Sequence, residues 1–145
     1  VDEAFAPMAV TIRLADDVDV SRGEMIARVR NRPHCGQDVE AMVCWLTAQT
    51  DLRTGAKLAI KHTTRWGRTV VKDLQYRLDV NTLHRDETAT HLALNEIGRV
   101  QLRTTVPLFF DEYRRNRTTG SFVLVDETTH NTVGAGIIFV PSEVA

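Results

Sequence analysis

The chain has 145 residues, 43% of them hydrophobic and 26% charged, and a formal net charge of −1. A chain of this length forms one or two domains and buries roughly 68–70% of its unfolded surface. The near-neutral charge gives no bulk attraction to nucleic acid or an anionic membrane, and no apolar run approaches the ~20 residues of a bilayer span, so neither partner is expected.

Period-two alternation, the mark of half-buried strands, dominates from the start. In Ala9 to Leu14, Val10, Ile12 and Leu14 share one face while Thr11 and Arg13 share the other. Asp16-Asp17 and Ser21-Arg22-Gly23 place turn chemistry on either side of Val18 and Val20, and Glu24 to Val29 reads as another short strand. Pro33 lacks an N–H and pushes Arg32 toward extended geometry, which sets a module boundary there. Asp38 to Thr47 is apolar on both faces, as in a strand buried on both sides or a helix; its β-branched and aromatic content favours the strand.

Leu52-Arg53-Thr54-Gly55 reads as a turn, followed by Lys57 to His62 with Leu58 and Ile60 inward. Arg68 to Val80 holds one or two strands, with Val70, Val71, Leu74, Tyr76, Leu78 and Val80 as candidate core. His84 to Ala93 is the one stretch that reads as a helical turn. Gly98 to Thr104 resumes alternation, with Val100 and Leu102 inward, and Asp111 to Arg117 reads as an irregular turn. The strands Ser121 to Val125 and Thr132 to Val140 are joined by the polar loop Asp126 to Asn131. Many short strands with almost no helix point to a barrel or sandwich, an all-β fold.

The chemistry expected of an enzyme is not written here. A phosphate cradle sets glycines before a helix N-terminus, yet the chain has neither GxxxxGK[ST] nor GxGxxG. Gly134-Ala135-Gly136 lies in a β-patterned run, where glycine admits a close neighbour or marks a bulge. The five histidines (34, 62, 84, 91 and 130) show no metal-ligand spacing, and Cys35 and Cys44 fit no CxxC pattern. Two thiols in a domain of ordinary size suit a reducing cytoplasm. The pairs Asp111-Glu112 and Asp126-Glu127 point to opposite faces of a strand, so a shared acid–base role is not expected, and Asp126 suits an Asx turn. No serine lies in a GxSxG context. The expectation is therefore no catalytic, metal or cofactor-binding residue in this segment.

Basic clusters stand out instead. Arg28, Arg30 and Arg32 lie near the boundary; Arg65 and Arg68 flank Trp66, with Lys61 nearby; Arg114, Arg115 and Arg117 follow Tyr113. They read as solvated faces, as a protein interface where Arg and aromatics are enriched, or as a nucleic-acid contact with steep salt dependence.

A family resemblance rests on successive blocks. These are Asp17 to Glu24, Glu40 to Trp45, Lys61 to Arg65, Tyr76 to Leu83, Leu94 to Val100, Asp111-Glu112-Tyr113 with Asn116, Thr119 to Phe122, and Asp126 through Thr132 to Gly136. In order and spacing they resemble the large, GTP-binding subunit of the bacterial heterodimeric ATP sulfurylase (sulfate adenylyltransferase). That family is related to elongation factor Tu and is sometimes fused to adenylylsulfate kinase. The resemblance implies a GTPase domain followed by two translation-factor-like antiparallel β-barrels. Residues 1–30 would be the last strands of an incomplete first barrel, 31–141 a nearly complete second barrel, and 142–145 a tail or linker. A start at Val1 suits a processed or excised fragment.

The resemblance also implies GTP and Mg in a GTPase domain outside this stretch. ATP and sulfate would bind in the catalytic small subunit, which forms adenosine 5′-phosphosulfate and pyrophosphate while GTP hydrolysis drives the synthesis. This segment would dock the GTPase domain, the small subunit, or both, through Arg65, Trp66, Arg68, Tyr113, Arg114, Arg115 and Arg117. Asn81, Asn95, Gly98, Gly120, Asp126, Gly134 and Gly136 would serve turns and close crossings, since Asn tolerates positive φ and Gly adopts it freely. The alternative from another class is an RNA-binding barrel of a translational GTPase, an argument from fold analogy alone.

Overall fold

The structure, a computed structural model, describes residues 3–140, among which there is no helix. The strands are β1 (His34–Trp45), β2 (Leu52–Arg53), β3 (Lys57–His62), β4 (Arg65–Leu78), β5 (Arg85–Asp86), β6 (His91–Leu92), β7 (Ile97–Phe110), β8 (Ser121–Val125) and β9 (Thr132–Phe139). All pairings are antiparallel, in the order β3-β8-β9-β1-β7-β4-β5, and a β3–β4 pairing joins the two flanks. Six strands thus close on themselves, which leaves free backbone edge only at strand ends and on the short β5. The expected all-β barrel is the fold.

Alternation fills the interior. Val39, Ala41, Val43 and Trp45 of β1 point inward, as do Leu58 and Ile60 of β3, Val100, Leu102 and Leu108 of β7, and Phe122 and Leu124 of β8. Each such aliphatic side chain gains about 1.5–3 kcal/mol by leaving water. The short β2–β6 pair closes the end of the barrel near Trp45: Leu52 and Leu92 are fully buried, and Trp45 Nε1 donates to the Thr50 carbonyl at 2.5 Å. At the opposite end the loop from Asp111 to Gly120 packs against the β3–β4 turn.

Four expectations need correction. The segment His84 to Ala93 is no helix: Asp86 Oδ1 accepts from Thr88 N at 3.0 Å and from Thr88 Oγ1, diverting the backbone into a turn between β5 and β6. Leu52-Arg53 is the strand β2, and only Thr54-Gly55 turns. In β4 the bulges between Val71 and Asp73 and between Leu74 and Tyr76 shift the inward phase. Val71, Leu74 and Tyr76 are therefore buried, whereas Val70 and Leu78 are half-buried and Val80 is exposed.

The alternating runs before Pro33 form no strand ladder; the only pairing among residues 3–33 is an isolated bridge from Arg28 to Asn31. Val10, Ile12, Leu14, Val18 and Val20 are exposed. Alternation specifies which face a strand buries, and without a neighbouring strand there is no face to bury it against. The segment touches the barrel at two places. Gly23 is buried with φ of 93° against the Arg65 backbone and Cβ, and Arg115 donates to the Asn31 side chain.

Candidate functional site

A closed barrel has an outside, and here that outside is divided. Over β7, β4 and the first half of β1 the outward residues include three arginines paired with carboxylates: Arg99 with Glu40 at 2.8 Å, Arg103 with Asp38 at 2.9 Å, and Arg77 with Glu96 at 3.1 Å and Asp86 at 3.2 Å. Such partly exposed pairs are worth about 0–1 kcal/mol each and describe a solvated face.

Over the second half of β1, and over β9 and β8, the outward residues are mostly apolar, and β3 adds Ala59 between Lys57 and Lys61. The ladders bring them into one row: Ile97 opposite Cys44, Cys44 opposite Ala135, Ala135 opposite Val123, Val123 opposite Lys61, and Lys61 opposite Trp66. A second row joins Met42, Ile137 and Ser121. Together they floor a groove of about 800 Å³, and Tyr113, Thr118 and Arg117 of the Asp111–Gly120 loop form its wall. A second hollow adjoins it across Lys61 and Val123, lined also by Trp66, Arg68 and Glu127. Trp66 is 53% exposed and the Lys61 ammonium lies 5.7 Å from its ring centroid, a cation–π contact.

The arginines and aromatics singled out in the sequence divide accordingly. Trp66, Tyr113 and Arg117 line the two hollows. Arg68 lines the second and pairs with Glu127 at 3.3 Å. Arg65 turns away: its Nε donates to the Pro107 carbonyl at 3.1 Å and its guanidinium lies over Phe109. Arg115 is engaged with Asn31, and Arg114 is exposed beside it. Sequence reading placed Lys61 in the basic cluster around Trp66 but missed Met42, Cys44, Ile97, Val123, Ala135 and Ile137. The two-faced apolarity of Asp38 to Thr47 carried that signal, because in a barrel one of the two faces is necessarily outside.

The loops are held by carboxylates and tight contacts. Asp126 Oδ1 accepts from Thr128 N at 2.7 Å and Thr129 N at 2.9 Å, and these bonds hold its carboxyl below the usual range. Asn81 lies in the turn after β4, yet the positive φ there belongs to Leu83, because Asp79 Oδ1 already fixes the Asn81 and Thr82 amides. Asn95 has φ of 66° before β7. Gly98 lies against Leu92 and the Tyr76 carbonyl, Gly120 against the Tyr113 backbone, and Gly134 against Trp45. Gly136 faces Phe122, whose ring fills the place of a β-carbon.

Beneath the loop, His62 is 2% exposed, and its Nε2–H donates to the Thr119 carbonyl at 2.6 Å. Thr119 Oγ1 donates in turn to Asp111 Oδ2 at 2.8 Å. Burial pushes the His62 pKa below its ordinary value, against the opposing pull of the Thr119 carbonyl and the Asp111 charge. Among the described residues no three His, Cys, Asp or Glu side chains group as metal ligands, and no helix is long and apolar enough to cross a membrane.

Closed antiparallel ladders, a plugged end and a side-chain-lined outer groove define a closed six-stranded antiparallel β-barrel. The family described as GTP-eEF1A C-terminal domain-like matches residues 38–139, and the chain belongs to it. It is 58% identical over 138 residues to a bifunctional enzyme CysN/CysC of Mycobacterium tuberculosis, covering 95% of this chain and 22% of that protein. It is 42% identical over 137 residues to sulfate adenylyltransferase subunit 1 of Bacteroides fragilis, covering 94% and 28% respectively. A structure of sup35 complexed with GMPPNP superposes with a TM-score of 0.75 at 21% identity, over 86% of this chain and 30% of that one, a likeness of fold. The chain thus spans about a quarter of the length of these curated relatives.

Proposed function

We propose that the chain is the barrel region of the GTPase subunit of a sulfate adenylyltransferase. The supporting observation is the 58% identity along 95% of the chain to a CysN/CysC enzyme. In this reading residues 1–30 complete a first barrel, which gives the exposed alternation of Val10, Ile12 and Leu14 a partner sheet. Residues 31–141 are the second barrel; the tail or linker expected at 142–145 lies outside the described residues. The segment contributes contact. GTP with Mg occupies the GTPase domain, and ATP and sulfate meet in the catalytic small subunit, with an adenylylsulfate kinase fused in some members. The assembly is cytoplasmic.

The apolar outer groove is the docking face for the GTPase domain or the small subunit, with Trp66, Arg68, Tyr113, Arg114 and Arg117 at or around it. Arg65 and Arg115 instead anchor the N-terminal segment. The test uses the parent subunit carrying this segment, purified with its small subunit. Release of pyrophosphate from ATP and sulfate should require GTP, and Met42→Asp with Ile137→Asp should lower co-purification. A parent with no GTP-dependent pyrophosphate release would overturn the reading.

A further inference from the structure

We propose that the outer groove over β1, β9, β8 and β3 receives an acidic segment of a protein partner. Apolar side chains of that segment would rest on Met42, Ile137 and Val123, and its carboxylates would face Lys61 and Arg117. The inference rests on the docking reading and gives it a chemistry.

Three observations carry it. The first is the floor: on β1, β7 and β4 outward arginines pair with carboxylates, yet here two cross-strand rows are largely apolar. An apolar patch with a polar rim is what a protein partner covers. The second is charge. No carboxylate lines the groove, and among the described residues neither Lys61 nor Arg117 has a carboxylate within 4.0 Å. By contrast, the outward acids Asp38, Glu40 and Glu127 each pair with an arginine, and Asp86 and Glu96 share Arg77. The rim therefore carries positive charge that no described carboxylate pairs with, in a protein whose net charge is −1. Complementary charge sets partner choice and encounter rate more than bulk affinity.

The third observation is closure. Under the groove the second half of β1 and the strands β9, β8 and β3 have neighbours on both sides, so recognition there runs through side chains. Thr63, Tyr113, Thr118 and Ser121 at the loop end add hydroxyls suited to carboxylate and backbone groups. Ser121 Oγ already donates to the Arg117 carbonyl at 2.7 Å, which ties the arginine's backbone to the groove.

The experiment uses the full 145-residue chain and two fluorescent peptides, one alternating Leu or Phe with Asp and Glu, the other identical but with Lys for every acid. Anisotropy should show the acidic peptide binding at least about tenfold tighter, with affinity falling as salt rises. Lys61→Glu with Arg117→Glu should remove or invert that preference, and the neutral pair Lys61→Gln with Arg117→Gln should reduce it. Lys72→Glu, on the charged sector, should leave it unchanged. Near-UV circular dichroism checks that each variant is folded. Absence of binding, equal binding of both peptides, or indifference to the groove variants would overturn the proposal. So would a homodimer in sedimentation equilibrium that the same variants dissolve, since a second copy would then be the occupant. Failure here with GTP-dependent turnover of the parent intact removes the groove chemistry alone. Loss of that turnover with selective peptide binding intact removes the sulfate-activation reading alone.

Discussion

Phe122 stands directly across the β8–β9 ladder from Gly136, and its ring occupies the volume that a β-carbon at Gly136 would need. The glycine is there for space: its φ is not among the positive ones. Gly136→Ala should destabilise the barrel by about 1–3 kcal/mol through overpacking. Phe122→Leu in the same chain should recover part of that loss, and urea denaturation of the double-mutant cycle would report a coupling. Simple additivity of the two changes would show that ring and glycine do not share the space.

His62 gives stability a pH dependence. In the unfolded chain the imidazole takes up a proton near 6.5, whereas in the fold it does so at a lower pH. Between these values the unfolded state binds more protons, so its contribution is full above pH 6.5 and is lost as pH falls from there through the folded value. Asp79, Asp86 and Asp126 have depressed pKa values, so their contributions persist until pH drops below 3.8 and leave this window alone. Urea midpoints should decline from pH 7.5 to 5.5. In His62→Gln, which keeps a donor for the Thr119 carbonyl, the slope should flatten.

Gly23 anchors the N-terminal segment in a conformation that L-residues rarely adopt, with Arg65 too close for a side chain. Gly23→Ala should cost about 1–3 kcal/mol at that anchor. Residues 3–20 should then be cleaved faster in limited proteolysis, while the denaturation midpoint of the barrel stays close to wild type.

Asp126 closes the β8–β9 loop through two backbone amides. Asp126→Ala should raise hydrogen exchange at Thr128 and Thr129, with β1 and β7 keeping their protection. Exchange unchanged at both amides would mean that the carboxylate does not hold the turn.

Much of the barrel is legible from alternation, because each closed strand has an inside that must be apolar. Val100 with Leu102, and Leu58 with Ile60, are read directly. Phase is lost where a bulge inserts a residue, so Val71 and Leu74 are both inward although they are three apart. The Asp86 turn competes with a helix that spacing alone allows. The groove is harder to read. Lys61 is legible as part of the basic cluster around Trp66, but only the β3–β8 register sets it in a row with Val123, Ala135 and Cys44. Arg65 and Arg115 resemble the other arginines in sequence, and what sets them apart is a distant segment they happen to hold.

Alternation around a closed circuit, interrupted only at the bulges, has a consequence for how such a module changes over time. Every strand carries two interleaved texts, one read by the interior and the other by whatever lies against the wall. Cys44 can be rewritten without disturbing Val43, and Ala135 without disturbing Gly136. A lineage can therefore exchange one neighbour for another by editing alternate letters while the architecture is copied unaltered.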